Sequence, residues 1–297
     1  MSAIETSRVT FESGGLSFVG DLVSPAGETS KLPAVAIIGP MTFERNQAPS
    51  RYAQTLAENG FRALAFDPRY RGDSGGEPRA WENPVHKVED LKEAVSFLAN
   101  RDDVNADRVH VLGICQGGSE ALRAAAEHPA ARSLTTITSQ YRDKEGDLAW
   151  LTEEGYEARL ARGVEAFHKY RDTGEVDYVK AVDQTDMEVG MPGDFVWEWY
   201  QPWADRGEWE NRYAVMSDKD LLEYESISAA QTIGKPWLMI HGDQCFLPDA
   251  AKRHFDAIPE GTPKRLVWDD TPHLAYYDQA DAIARGTAET VAWFERH

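Results

Sequence analysis

A cysteine between two glycines is the first group in this chain that could do chemistry. Gly113-Ile114-Cys115-Gln116-Gly117 closes the apolar run VHVLGIC and leads into QGGSEALRAAAEHP. Strand, tight turn and helix in that order lift the central side chain above a sheet. Side chains two positions either side would collide there, and Gly113 and Gly117 remove them, while Gly118 lets the helix pack closely on the strand. The free N–H groups and dipole at the helix start face the sulfur, so a thiolate nucleophile is expected at Cys115. A buried structural cysteine is the plain alternative. Cys245 sits in no such turn and is not expected to react.

A nucleophile on such a turn needs a base that arrives after the last strand, with an acid between them. Of eight histidines, His273 in WDDTPHLAYYD follows the apolar run RLVW and precedes the final helix, and it is assigned as the base. His241 ends a strand and is expected to pack beneath the site. His128, His168, His254 and His297 read as solvated or capping residues. The acid position is ambiguous. The loop HGDQCFLPD carries Cys245 where H-G-x-x-D would place its aspartate, leaving Asp243 two residues earlier, or Asp143 after another strand, to orient the imidazole. The oxyanion hole should pair the backbone N–H of Gln116 with that of Met41 or Thr42 in the loop Gly39-Pro40-Met41-Thr42-Phe43.

The elements that must hold these groups alternate. Residues 8–12 and 16–22 alternate like a hairpin, and short apolar runs at 34–38, 62–66, 108–113, 134–138, 237–241 and 265–268 read as strands buried on both faces. Helical stretches at 50–59, 88–100, 116–128, 249–258 and 278–295 separate them. This is the pattern of an α/β fold, a mostly parallel sheet with helices on both faces, built from residues 1–140 and 230–297. Residues 141–229 break the rhythm with helices and loops rich in acidic and aromatic residues, and are expected to form a helical cap. Trp197, Trp199 and Trp203 within it are assigned to the substrate pocket, with Trp150 and Trp209 nearby. FDPRYRGDSGGEPR lacks the G-K-[ST] of a phosphate loop, so Asp67 and Arg71 read as a turn lock.

Composition narrows the classes further. Lys and Arg number 31 against 50 for Asp and Glu, a formal charge of −19, which argues against a nucleic acid or an anionic membrane as partner. Two cysteines in no metal-ligand spacing argue against a zinc site or a disulfide scaffold. The first residues have no basic-then-apolar leader and no run nears the ~20 residues of a membrane span, so a soluble, cytoplasmic chain is expected.

YAQTLAENGFRALAFDPRYRGDSGGEPR, NPVHKVEDLKEAVSFL, VNADRVHVLGICQGGSEAL, WENRYAVMSDKDLLEYESI and PHLAYYD, in that order and spacing, resemble the α/β-hydrolase superfamily. More narrowly, they resemble its dienelactone-hydrolase-like branch with a cysteine elbow, from about residue 15 onward. The resemblance implies esterase, lactonase or thioesterase-like acyl chemistry with Cys115 as nucleophile and His273 as base, or acyl transfer of a polyketide type. Such chemistry needs no metal or organic cofactor, and the tryptophans of residues 141–229, if they line the site, imply a small, apolar or aromatic acyl substrate. A homodimer is an open state. The competing class is a binding protein that keeps the shell of the fold but not its turnover.

Overall fold

The computed structural model describes residues 3–297. Its strands, in chain order, are β1 (Ile4–Ser13), β2 (Leu16–Pro25), β3 (Leu32–Ile38), β4 (Arg62–Phe66), β5 (Val104–Ile114) and β6 (Ala131–Ile137), then the two-residue β7 (Tyr178–Val179), β8 (Val182–Asp183), β9 (Met191–Pro192) and β10 (Tyr213–Ala214), and finally β11 (Trp237–His241) and β12 (Lys264–Trp268). The helices are α1 (Ala48–Glu58), α2 (Pro84–Ala99), α3 (Gly117–Glu127), α4 (Lys144–Thr173), α5 (Asp194–Asp205), α6 (Ser217–Glu223), α7 (Ile227–Thr232), α8 (Pro248–Asp256), α9 (Ala275–Asp278) and α10 (Ala280–Arg296).

Eight strands form one sheet in the order β1-β2-β4-β3-β5-β6-β11-β12. Only the β1–β2 and β2–β4 pairs are antiparallel; the rest run parallel. The parallel strands read as continuous apolar runs because both their faces are covered. In β3, Ala34, Ala36 and Ile38 point to the face packed by α2, α3 and α8, while Val35 and Ile37 point to the face packed by α1 and α10. Trp237 and Met239 of β11 join the first layer, and Leu238 and Ile240 the second. The α/β architecture expected from the alternation is therefore present, with strand β5 central.

Between β6 and β11 the chain leaves the sheet for α4 to α7, which carry two apolar clusters of their own. Helix α4 starts on an Asp143 cap, whose carboxylate accepts from Gly146 N at 2.7 Å, and kinks at Thr152. The expected boundary at residue 229 falls inside α7. The helix expected over 278–295 is α10, and a short α9, unforeseen, precedes it, the two separated by Gln279 with an extended ψ of 121°. That break gives the His273 segment a short helix of its own.

Candidate active site

Cys115 terminates β5 with a φ of +53°, a left-handed conformation that non-glycine residues adopt only under constraint. The constraint is backbone packing. A Cβ on Gly117 would lie 2.5 Å from Gly39 O and one on Gly118 only 1.8 Å from Ser139 Oγ, so glycine alone lets α3 start this close to β3 and β6. The Gly117 amide donates to Gly39 O at 3.1 Å and joins the turn to the loop after β3.

That loop supplies the second amide. The backbone amides of Gln116 and Met41 both favour ionisation of the Cys115 thiol. Of the two candidates in the loop, Met41 is the one whose amide acts on the sulfur. Thr42 turns toward the cap, where its carbonyl accepts from Trp209 Nε1 at 2.6 Å, and the Met41 carbonyl accepts from the Tyr200 hydroxyl at 2.8 Å. The Gln116 side chain is fixed from below: Arg142 Nε donates to its Oε1 at 2.8 Å, and Arg142 pairs with Asp147 at 2.9 Å, all three buried. Two converging amides beside a nucleophile are suited to hold the oxygen of a tetrahedral intermediate.

His273 lies just ahead of α9 and is buried beside Cys115 in one cavity. Its Nε2 faces the Tyr277 hydroxyl at 3.1 Å, and Tyr277 lines the same cavity as Cys115. Its Nδ1 has two partners, Thr138 Oγ1 at 2.8 Å and the Phe246 amide at 3.1 Å. The amide fixes Nδ1 as an acceptor, and the Thr138 hydroxyl can either donate to that nitrogen or accept from it. An amide N–H needs a bare Nδ1, whereas a base acting through Nε2 needs a protonated Nδ1 that donates to the Thr138 hydroxyl.

Neither expected acid reaches the imidazole. The Asp243 side chain is 66% exposed, 3.5 Å from Lys252, and makes no bond to His273. Asp143 is spent on the α4 cap and on Arg253 at 2.7 Å. The Asp243 assignment is therefore corrected: the hydroxyl of Thr138, at φ +45° just past β6, stands where a carboxylate was expected. Cys245 is buried beside it, its thiol directed to Thr271 O at 3.7 Å. His241 does pack beneath the site, on Ser139 O at 3.1 Å. His254 is not solvated but fully buried, held by Ser226 and Ala250.

Burial also shifts the ionisations. It raises the Cys115 thiol above its ordinary value, against the downward pull of Tyr277, Gln116 and Met41. It lowers His273 to about 3, with His241 adding a smaller push. Both shifts run against the thiolate expected from the helix dipole, because desolvation penalises the charged form of each group. Among the described residues no three His, Cys, Asp or Glu side chains gather to hold a metal, and no helix is long and apolar enough to cross a membrane.

The cavity over Cys115 measures about 80 Å³. Met41, Gln140, His273, Leu274, Tyr277 and Phe246 line it from the sheet side, and Trp150, Met191, Pro192, Phe195, Val196 and Tyr200 from the segment between β6 and β11. Trp197, Trp199 and Trp203 do not line it, which corrects their assignment. Trp199 meets Tyr277 edge-on at 5.0 Å and bonds Asp278, so it backs the wall rather than forming it. Trp203 packs behind Trp199 at 5.8 Å, farther along α5, and Trp197 projects about 100° round the helix from Val196. Sequence reasoning passed over Tyr277, Thr138, Phe246 and Tyr200. Only Tyr277 left a signal, one helical turn after His273.

A family model described as alpha/beta hydrolase fold matches residues 46–170. The uncharacterized protein PA2218 of Pseudomonas aeruginosa is 40% identical over 307 residues, covering 94% of this chain and 78% of that protein. The crystal structure of hypothetical protein PA2218 superposes with a TM-score of 0.85 over 99% of this chain and 94% of that one, with 26% identity between superposed positions. The uncharacterized protein YcjY of Escherichia coli is 33% identical over 284 residues, 90% of each chain. A thiohydrolase of Eupenicillium brefeldianum matches a shorter stretch, 33% identical over 108 residues, 36% of this chain and 35% of that protein.

Proposed function

The chain belongs to the alpha/beta hydrolase family, and we propose that it cleaves a thioester, ester or lactone of an apolar acyl group through a thioacyl-enzyme on Cys115. One observation carries this reading: Cys115 and His273 line one apolar cavity, and the backbone amides of Gln116 and Met41 act on the Cys115 thiol there. Cys115 attacks the carbonyl carbon, and the Gln116 and Met41 amides receive the developing oxyanion. His273 takes the thiol proton and returns it to the leaving group. It then draws a proton from the water, or from an alcohol in acyl transfer, that releases the acyl group. The relative named a thiohydrolase favours the thioester among the three bonds.

In this reading residues 141–229 act as a cap whose Trp150, Phe195, Val196 and Tyr200 hold the acyl chain. Apolar walls suit an apolar or aromatic group and exclude a highly charged one. The second reading is a binding protein, and the missing carboxylate on His273 Nδ1 favours it. The two separate in one experiment. Wild type and Cys115→Ala are incubated with a panel of thioesters, lactones and aryl esters, followed by product release and intact mass. Turnover with an acyl adduct on Cys115, lost in Cys115→Ala, supports the enzyme. Binding without adduct or turnover supports the alternative.

A further inference from the structure

We propose that Trp150 sets the length of the acyl group this chain accepts, as the partition between the cavity over Cys115 and a second hollow behind it; this deepens the reading above and rests on Cys115 being the nucleophile. The cavity measures about 80 Å³, room for only a few heavy atoms. The second hollow measures about 350 Å³, and Leu151, Gly155, Ala158, Arg159 and Met187 are among its walls. Trp150 and Pro192 line both. Pro192 is fixed in β9, which pairs with β8. The indole is the part of the partition that a change of side chain can remove. Phe246, a wall of the cavity, meets it edge-on at 5.4 Å, and Arg159, a wall of the hollow, stands over it at 5.6 Å.

The hollow follows from a break in the chain. Thr152 adopts φ +63° and ψ 167° and divides α4, so Trp150 stands at the end of one short helical piece and a second piece starts after it. Thr152 Oγ1 accepts from Gly155 N at 3.3 Å in the first turn of that second piece. Gly155, Ala158, Arg159 and Arg162 fall three and four residues apart on one of its faces, and that face lines the hollow. The occupant that fits is the far end of an acyl chain and not a charged tail, because both arginines are already engaged. Arg159 donates to Asp218 at 2.8 Å and to Gly190 O at 2.6 Å, while Arg162 pairs with Asp218 and donates to Glu188 O at 2.7 Å. What remains for a ligand is the apolar surface of Leu151, Ala158 and Met187, the last 71% exposed. With Trp150 in place, an acyl chain on Cys115 stops at the indole. Without it, the chain runs on into the hollow.

The test is kcat/KM over straight-chain acyl thioesters of one thiol, from acetyl to dodecanoyl, for wild type, Trp150→Ala and Trp150→Phe, with fold checked by circular dichroism. Wild type should favour short chains and fall at least about 10-fold from butanoyl to octanoyl, the scale set by methylenes that find no room. Trp150→Ala should raise octanoyl over butanoyl by at least about 10-fold relative to wild type. Trp150→Phe, which keeps a smaller ring, should shift the same way by less, and it decides if Trp150→Ala does not fold. Comparing chain lengths within one variant cancels any general loss from loosening Phe246. Adding Ala158→Phe, which fills the hollow from its other wall, should return Trp150→Ala to the wild-type preference. A folded Trp150 variant with the wild-type length profile, a wild type that cleaves dodecanoyl as readily as butanoyl, or a gain that survives Ala158→Phe overturns the proposal. So does a gain that follows the thiol when the thiol is varied at a fixed acyl group. Failure of the underlying reading looks different, since wild type and Cys115→Ala would then match across the whole series.

Discussion

Replacing Gly117 by alanine tests whether the turn and the oxyanion loop are one mechanical unit. The new Cβ would meet Gly39 O at 2.5 Å and Ile38 O at 2.7 Å, where ordinary contact begins at 3.4 Å, so the loop must retreat by about 0.9 Å. The alternative, moving α3 instead, is opposed by Gly118, whose surroundings leave it no room against Ser139. Retreat also stretches the Gly117 N–H bond to Gly39 O, now 3.1 Å. Overpacking of this kind costs about 1–3 kcal/mol, and the lost hydrogen bond about 1 more. For a chain of this size that corresponds to a fall in Tm of roughly 3–6 °C. Met41 lies two residues beyond Gly39, so its amide moves with the loop. A misplacement of about 1 Å at a catalytic group, or loss of one oxyanion donor, costs on the order of 100-fold in rate. Thioester cleavage should therefore drop about 100-fold in kcat, with KM changed far less, in a variant that still folds. Gly234→Ala, whose Cβ meets nothing within 4 Å, is the control and should behave as wild type. A folded Gly117→Ala with kcat within about 5-fold of wild type would refute the coupling and remove Met41 from the oxyanion hole.

The other expectations concern the imidazole. Asp243→Asn should leave kcat/KM within about 2-fold, since exposed pairs contribute little, whereas Thr138→Val, which removes the hydroxyl on Nδ1, should lower it at least about 10-fold; equal effects would restore Asp243 as the orienting group. With His273 held near 3 by burial, its base form persists as pH falls through 6.5, so kcat/KM should show no inflection near the ordinary histidine value. An acid limb centred near pH 6.5 in a steady-state profile would show that this imidazole is far more solvated than its surroundings allow.

How much of this was legible beforehand follows from how far apart the cooperating residues stand. The elbow is local: a strand, two flanking glycines and a helix, all between Val104 and Glu127, leave the chain few other conformations, and Cys115 takes the positive φ that the pattern implies. The sheet is nearly as legible, because runs such as Trp237–Ile240 are apolar at every position only when helices cover both faces. His273 is found by order along the chain. Its partner is not, because Asp243 follows β11 while Asp143 and Thr138 follow β6, and only the way the β6 and β11 loops converge decides which meets Nδ1. The tryptophans show the same limit in a different form. Helical period alone places Trp199 and Trp203 on the α5 face that carries Val196 and Tyr200, so periodicity cannot reject them. What rejects them is the third dimension, with Tyr277 standing in front of Trp199 and Trp203 lying beyond it along the helix axis. The electrostatics were decided there too. A helix dipole is read from a sequence, but the desolvation that penalises charge on Cys115 and His273 exists only once both are enclosed.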